Sequence, residues 1–185
     1  MIKLAALTIS SPEIGMGHLV RTTQLLSTLD SDKFSFKIYG ELKSIPHWID
    51  KFDYEIIQYD LFDYEVLNKY DLIIFDEAAL ADGKDAFNVA LRPTLDKINS
   101  KAVFISTPRG RNNWFADFYH RGFSEEFQDW ASIRATYHEN PRFSDDDIKE
   151  AKKAMSSAEF AQEYMADFNT YEGQVWNFNF AFNTQ

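Results

Sequence analysis

The chain has 185 residues and no cysteine, which excludes disulfide bonds, thiolate zinc sites and a cysteine nucleophile. Hydrophobic residues make up 45% of it, with 17 Phe and 9 Tyr, so a buried core is expected rather than general disorder. The formal charge of −10 argues against a surface that coats nucleic acid, and neither residues 1–75 (7 Lys/Arg against 11 Asp/Glu) nor residues 76–185 (12 against 18) are basic.

Five apolar segments predict the strands of a mainly parallel sheet. They are residues 2–9, 34–39, 54–59, 72–75 and 102–106. An amphipathic helix is predicted after the first strand, because apolar and small residues recur there at helical spacing. These residues are Leu19, Thr22, Leu25, Leu26 and Leu29. Strands that alternate with helices predict an α/β fold in three layers, Rossmann-like or P-loop-NTPase-like, with helices flanking the sheet.

Beyond about residue 110 the sequence predicts helices. Ser144 precedes three aspartates at 145–147, which suit the first turn of a helix, and Ser156 has capping-box spacing to Glu159. Aromatic residues follow at four-residue intervals and predict one packed face. They are Phe160, Tyr164 and Phe168.

An apolar strand that ends in two carboxylates carries the sharpest local signal. The segment LIIFDE at 72–77 places Asp76 and Glu77 at the C-terminal end of a central strand, where open α/β sheets bind ligands. In P-loop ATPases this is the Walker B arrangement, whose Asp holds Mg²⁺ and whose Glu positions or deprotonates the attacking water. The spacing alone equally fits a buried strand that runs into an acidic, solvated turn.

The second motif is the segment VFISTPRG at 103–110. We expect Ser106 and Thr107 to lie at the same sheet edge as Asp76, within reach of a phosphate or its bound water. Arg109 is a candidate phosphate ligand, although an arginine after a turn is usually solvated. An ordinary junction between a strand and a turn has the same pattern.

Three segments together resemble the large terminase subunit of tailed bacteriophages, the ATP-driven motor of viral DNA packaging. They are DLIIFDEAALADGKDAFNVALRPTLD, SKAVFISTPRGRNNWFADFYHRGF and AEFAQEYMADFNTYEGQVW, which fall between about Tyr70 and Trp176. The resemblance implies that Asp76 binds the metal, that Glu77 activates water, and that Ser106 and Thr107 couple hydrolysis to movement. It also implies ATP and Mg²⁺ as cofactors, and other terminase subunits, the portal and DNA as partners.

Two parts of that family's pattern are missing. Residues 1–70 contain no Gly-x-x-x-x-Gly-Lys-Ser/Thr, the Walker A loop whose backbone amides and lysine cradle the triphosphate. A continuation into the nuclease is not seen beyond Trp176 either. We therefore expect no independent ATPase or nuclease activity.

The turn after the first strand carries a different resemblance. The sequence GMGHLVR at 15–21 is similar to the opening of GT-B nucleotide-sugar enzymes, above all the UDP-sugar hydrolases of the pseudaminic acid pathway. The resemblance implies that Gly15 and Gly17 let the backbone approach the ligand, that His18 is catalytic, and that Arg21 supports the turn. A glycine-containing β–α turn with a structural histidine has the same pattern.

The two resemblances predict a mosaic of residues 1–75, 76–176 and a tail at 177–185. Its function is then that of a partial terminase large subunit, a nucleotide-sugar-binding protein, or an inactive remnant. Recombination between phage-borne genes and a gene-calling artefact would both give this pattern. The N-terminal apolar run reads as a strand and not a signal peptide, and no apolar run approaches the ~20 residues of a membrane span, so the host cytoplasm is the expected location.

Overall fold

The computed structural model describes residues 1–10, 16–43, 45–58, 62–80 and 100–169. These residues include five strands: β1 (Ile2–Ser10), β2 (Phe34–Leu42), β3 (Tyr54–Ile56), β4 (Leu72–Asp76) and β5 (Lys101–Ile105). They also include four α-helices: α1 (Gly17–Ser27), α2 (Trp114–Arg121), α3 (Asp145–Ala154) and α4 (Ser157–Met165). Short 3₁₀ helices lie at His47–Lys51, Tyr64–Lys69, Ala78–Leu80 and Tyr137–Glu139.

The chain forms two compact units, the first from Met1 to Ser106 and the second beginning at Thr107. The division predicted at residues 75 and 76 separates two sequence resemblances, and it stays a prediction. No helix within the described ranges is both long enough and apolar enough to span a bilayer.

The first unit contains a parallel sheet of order β3-β2-β1-β4-β5, which confirms the predicted α/β architecture. The chain runs outward from β1 to β3 on one side and then returns to build β4 and β5 on the other side. This is a doubly wound order, and the direction of winding changes between β1 and β4. Ligands bind such sheets in the crevice at the carboxyl ends of the two strands that flank this point.

The central strand β1 is buried on both faces, as its continuous apolar sequence predicts. Leu4 and Ala6 lie on one face, and Ala5 and Leu7 on the other, and all four are at most 1% exposed. Burying each leucine side chain stabilises the fold by about 2 kcal/mol. The strand that leads to the predicted ligand edge is therefore held firmly from both sides.

Helix α1 packs on the sheet through a core shared with β1, β2 and β4. This core contains Leu4, Ala6, Leu19, Leu26, Ile38, Leu42, Ile49 and Ile74. The predicted apolar face was wrong at Leu25, which is 42% exposed, because Thr23 takes the inward position. Its hydroxyl is satisfied by donating to the backbone oxygens of Leu19 and Val20, both at 3.0 Å.

The second unit begins its helices with side-chain caps. The predicted box of Ser156 with Glu159 is confirmed at the start of α4, and the predicted helix start after Ser144 also has a box, in which Ser144 pairs with Asp147 at the start of α3. A third box, Thr136 with Glu139, precedes the Tyr137–Glu139 turn.

Phe168 does not belong to the aromatic face on which the sequence placed it. Helix α4 ends at Met165, because Ala166 adopts the left-handed conformation with φ 48°. Phe160 and Tyr164 stack within the helix at 4.9 Å, whereas Phe168 stacks on Tyr119 at 4.7 Å. The prediction failed where the left-handed residue redirected the chain.

Candidate functional site

The end of β4 brings two carboxylates to one place. Asp76 is the last residue of β4 and Glu77 follows it, and they are only 3% and 5% exposed. Successive side chains of a regular strand point to opposite faces. Glu77 instead has φ 56°, a left-handed conformation that costs a non-glycine residue about 1 kcal/mol. This turn of the backbone ends the strand alternation, and both carboxylates contact the same arginine.

Helix α1 supplies the basic partners of these carboxylates. Arg21 Nη2 lies 2.7 Å from Asp76 Oδ1 and 3.2 Å from Glu77 Oε1. His18, one turn earlier on the same helix face, has its Nδ1 2.9 Å from Arg21 Nη2 and 3.1 Å from Glu77 Oε1. Thr22 Oγ1 donates to Asp76 Oδ2 at 3.2 Å. Three residues of one helix thus meet the end of β4.

Ser106 completes the cluster from the neighbouring strand. It directly follows β5, whose Ile105 is in register with Asp76. Its Oγ donates to Glu77 Oε2 at 3.2 Å and accepts from the Ala79 amide, also at 3.2 Å. The prediction that Ser106 lies at the same sheet edge as Asp76 is confirmed.

The charges of this cluster are unequal. Two buried carboxylates face one guanidinium, and a buried carboxylate without a cation is strongly destabilising. Burial of Arg21 acts to lower its pKa, but the attraction of Asp76 and the hydrogen bonds to both carboxylates outweigh it, so the pKa is raised above its usual value. Arg21 therefore stays charged and half-exposed, at 54% of its side chain.

The proton position on His18 follows from its two contacts. Nδ1 either accepts from Arg21 or donates to Glu77, and it does not do both. We assign the shorter contact, 2.9 Å to Arg21 Nη2, as the hydrogen bond. The neutral ring then carries its proton on Nε2, and its Nδ1 lone pair faces into the cluster.

The cluster has the donor set of a divalent cation site. One ligand atom each from His18, Asp76 and Glu77 lies within 4.8 Å of the other two. Carboxylate oxygens suit Mg²⁺ and Mn²⁺, and an imidazole nitrogen extends the range to Zn²⁺ and similar ions. The residues present therefore fit a bound divalent cation.

Gly15, Gly17, Thr107 and Arg109 are the other predicted site residues. Gly15 is outside the described residues. Gly17 begins α1, and a Cβ added there would meet no atom of the described residues within 4 Å. Thr107 and Arg109 belong to the second unit, where the Arg109 carbonyl accepts from the Asn113 side chain at 2.6 Å.

Two residues of the cluster were not among the predicted members of this site. Arg21 was expected only to support its own turn, and Thr22 only to pack in the core. Both contact Asp76, which is 55 and 54 residues away in the sequence. The available signal was the spacing of His18 and Arg21 on one face of a helix that begins at the predicted ligand edge.

Comparison with known proteins finds terminase large subunits. The family model described as "Terminase large subunit, T4likevirus-type, N-terminal" matches residues 68–180, more than half of the chain. A terminase large subunit of Escherichia phage T5 is 56% identical over 116 residues, which are 62% of this chain and 26% of the T5 protein. The chain thus spans about a quarter of the length of that relative.

Solved structures show the same fold. The ATPase domain of the large terminase of Thermus phage P74-26, in a mutant form with one arginine replaced by alanine, matches with a TM-score of 0.56 at 18% identity. The match covers 90% of this chain and 77% of that domain. The form without the mutation matches with a TM-score of 0.53, also at 18% identity, over 90% of this chain and 76% of that one.

Proposed function

Because the chain belongs to the terminase large subunit family, we propose that it is a component of a phage DNA-packaging motor and that its cation site is built on Asp76. The observation that supports this most is the cluster of Asp76, Glu77 and Ser106 at one sheet edge. These three residues lie within the part of the chain that the family model matches.

Each residue of this cluster has a role that its position supports. Asp76 is the cation ligand, and Glu77 orients or deprotonates the attacking water. Mg²⁺, when bound, neutralises the charge of the transferring phosphate. Ser106 donates to Glu77 and directly precedes Thr107, with which the second unit begins, so Ser106 is proposed as the link between Glu77 and that unit. This is the coupling role proposed for Ser106 and, with it, Thr107.

The chain is proposed to have no ATP turnover of its own. Residues 1–70 lack the Walker A sequence, and triphosphate affinity comes largely from the amides and lysine of that loop. ATP and Mg²⁺ are then handled together with other subunits of the motor. The portal and DNA are further partners, and the charge of −10 restricts any DNA contact to a local surface.

Phosphate release from Mg-ATP tests this proposal. The wild-type chain is expected to release phosphate no faster than Asp76→Ala/Glu77→Ala. The matched control is Asp145→Ala/Asp146→Ala, which removes two exposed carboxylates from the start of α3. Turnover that only the Asp76/Glu77 variant abolishes would contradict the proposed lack of activity and would make the turn at 15–21 an unconventional phosphate loop.

Calorimetry tests the cation role separately. Mg-ATP is expected to bind weakly, in the millimolar range (about −4 kcal/mol), and ATP in EDTA more weakly still. Asp76→Asn should remove the difference between the two titrations. Equal binding of ATP with and without Mg²⁺ by the wild-type chain would contradict a cation site at Asp76.

A nucleotide-sugar ligand is the second candidate. It is supported by His18, which is 19% exposed and contacts side chains, and by Gly17, where an added Cβ would meet no atom of the described residues within 4 Å. Calorimetric titration with a UDP-sugar separates the two functions, since His18→Ala should abolish this binding. Binding of neither ligand would favour an inactive remnant over both.

A further inference from the structure

Arg21 holds the position that a divalent cation would take in the cluster. A single nitrogen, Nη2, is 2.7 Å from Asp76 Oδ1, 2.9 Å from His18 Nδ1 and 3.2 Å from Glu77 Oε1. These residues are the same three whose ligand atoms lie within 4.8 Å of one another. The donors of the cation site and the acceptors around the guanidinium are one set of residues.

The guanidinium fits this position imperfectly. Nη2 carries two hydrogens and faces three acceptors, so its three contacts share two hydrogens. The longest of them, the hydrogen bond of 3.2 Å to Glu77 Oε1, is the weakest. A metal ion has no such limit, since it accepts a lone pair from each of the three atoms.

Charge and exposure make exchange feasible. Arg21 offsets one of the two buried carboxylate charges, whereas a divalent cation offsets both. The arginine side chain is 54% exposed and extends from the surface of α1, so its head can reach solvent without unfolding the helix.

We propose that Arg21 is a built-in competitor of the cation, and that His18 Nδ1 becomes the third ligand when Arg21 leaves. The guanidinium holds Asp76 and Glu77 in place while the site lacks a metal. This inference rests on the proposed cation role of Asp76. The nitrogen ligand makes Mn²⁺, Co²⁺ or Zn²⁺ bind more tightly than Mg²⁺, which prefers oxygen.

Titration with Mn²⁺ alone, read by the electron paramagnetic resonance of free Mn²⁺, tests the competition. Arg21→Gln should tighten Mn²⁺ binding about tenfold. His18→Ala should weaken Mn²⁺ binding by at least about tenfold and change Mg²⁺ binding, followed by calorimetry, much less. Lys33→Gln is the matched control, because it removes one positive charge from an exposed pair with Asp30, and it should leave the affinity unchanged.

The variants Arg21→Gln and Asp76→Asn distinguish a failure of the proposed competition from a failure of the proposed cation role of Asp76. If Arg21→Gln binds Mn²⁺ like the wild type while Asp76→Asn abolishes binding, the competition is wrong and the cation role of Asp76 survives. If Asp76→Asn leaves Mn²⁺ binding unchanged, both are wrong.

A measurement on the wild-type chain covers the case in which Arg21→Gln does not fold. Saturating Zn²⁺, which is diamagnetic, should shift the Arg21 Nε–H resonance and speed its exchange with water. The Arg134 Nε–H resonance, which reports a bond of 3.0 Å to the Met165 carbonyl, should not change. An unchanged Arg21 resonance with bound Zn²⁺ would overturn the proposal.

Discussion

The two units use the same kind of residue in opposite ways. In the second unit, Asp147 and Glu159 are exposed carboxylates that accept from the backbone amide and hydroxyl of a serine three residues earlier. In the first unit, Asp76 and Glu77 are buried, and their partners come from distant side chains, among them Arg21. The first arrangement starts a helix, and the second concentrates charge at a sheet edge.

This contrast separates structural from functional carboxylates. A capping carboxylate is satisfied by its own helix and remains in water, so it has no need of a ligand. Asp76 and Glu77 together carry more negative charge than Arg21 neutralises, and burial makes this excess costly. An acidic residue in this chain is therefore judged by its partners and its exposure, and clustering in the sequence is not enough.

Removing the cation of the first unit should have the largest effect. Arg21→Met leaves two buried carboxylates without a counter-ion, and we expect the free energy of unfolding in EDTA to fall by about 2 kcal/mol, since the pair is partly exposed. Urea unfolding measures this. Lys33→Met, at an exposed pair, should cost less than about 0.5 kcal/mol. Equal losses of unfolding free energy in Arg21→Met and Lys33→Met would contradict the contrast between the buried and the exposed carboxylates.

Removing a cap from the second unit should have the next largest effect. Ser156→Ala deletes the hydroxyl that accepts from the Glu159 amide, which should cost about 1 kcal/mol. Ser157→Ala, at the exposed first position of the same helix, is the matched control and should be near neutral. Hydrogen exchange of the α4 backbone amides measures the free-energy change in both variants. If Ser157→Ala destabilised α4 more than Ser156→Ala does, the capping box would not be what stabilises the start of α4.

The capping carboxylates should also make the free energy of unfolding decrease at acid pH. Hydrogen bonds from Ser144 and Ser156 lower the pKa of Asp147 and Glu159, so the unfolded chain binds protons more readily. Their stabilisation is complete above the unfolded values of about 3.9 and 4.3 and is lost as the pH falls through the folded values. Carboxyl NMR titration should show the pKa of Glu159 rising in Ser156→Ala. An unchanged pKa of Glu159 in Ser156→Ala would show that the Ser156 hydroxyl does not lower this pKa.

The smallest expected change in stability is at Gly17. A methyl group there would meet no atom of the described residues, so Gly17→Ala should change the free energy of unfolding by less than about 0.5 kcal/mol. Thermal unfolding measures this. The variant is still informative, because a methyl group blocks close approach of a ligand to the backbone. Weaker UDP-sugar or Mg-ATP binding with unchanged stability would place the ligand beside this turn.

The range over which residues interact explains what the sequence could predict. The caps join residues three apart, and the strands of the sheet are continuous apolar segments, so both are visible in a short window of sequence. The partnership of Asp76 with Arg21 spans 55 residues and depends on β1 lying beside β4. Neither sequence resemblance alone predicts this contact, because the resemblance to nucleotide-sugar enzymes includes Arg21 and the resemblance to terminases includes Asp76.

Local backbone conformation accounts for the remaining differences between the sequence predictions and the structure. Glu77 and Ala166 both adopt positive φ, which their residue types do not signal, since glycine is the usual residue there. At Glu77 this brings a carboxylate into the cluster, and at Ala166 it ends α4 before Phe168. Strain of this kind at Glu77 is characteristic of functional sites.

Paramagnetic broadening by Mn²⁺ tests most directly whether the buried carboxylates, and not the capping ones, form the cation site. Substoichiometric Mn²⁺ is added to the ¹⁵N-labelled chain, and the loss of each amide signal is followed. The signals of His18, Asp76 and Ser106 are expected to lose intensity first. Broadening that begins at residues 145–147 and spares Asp76 would contradict this expectation.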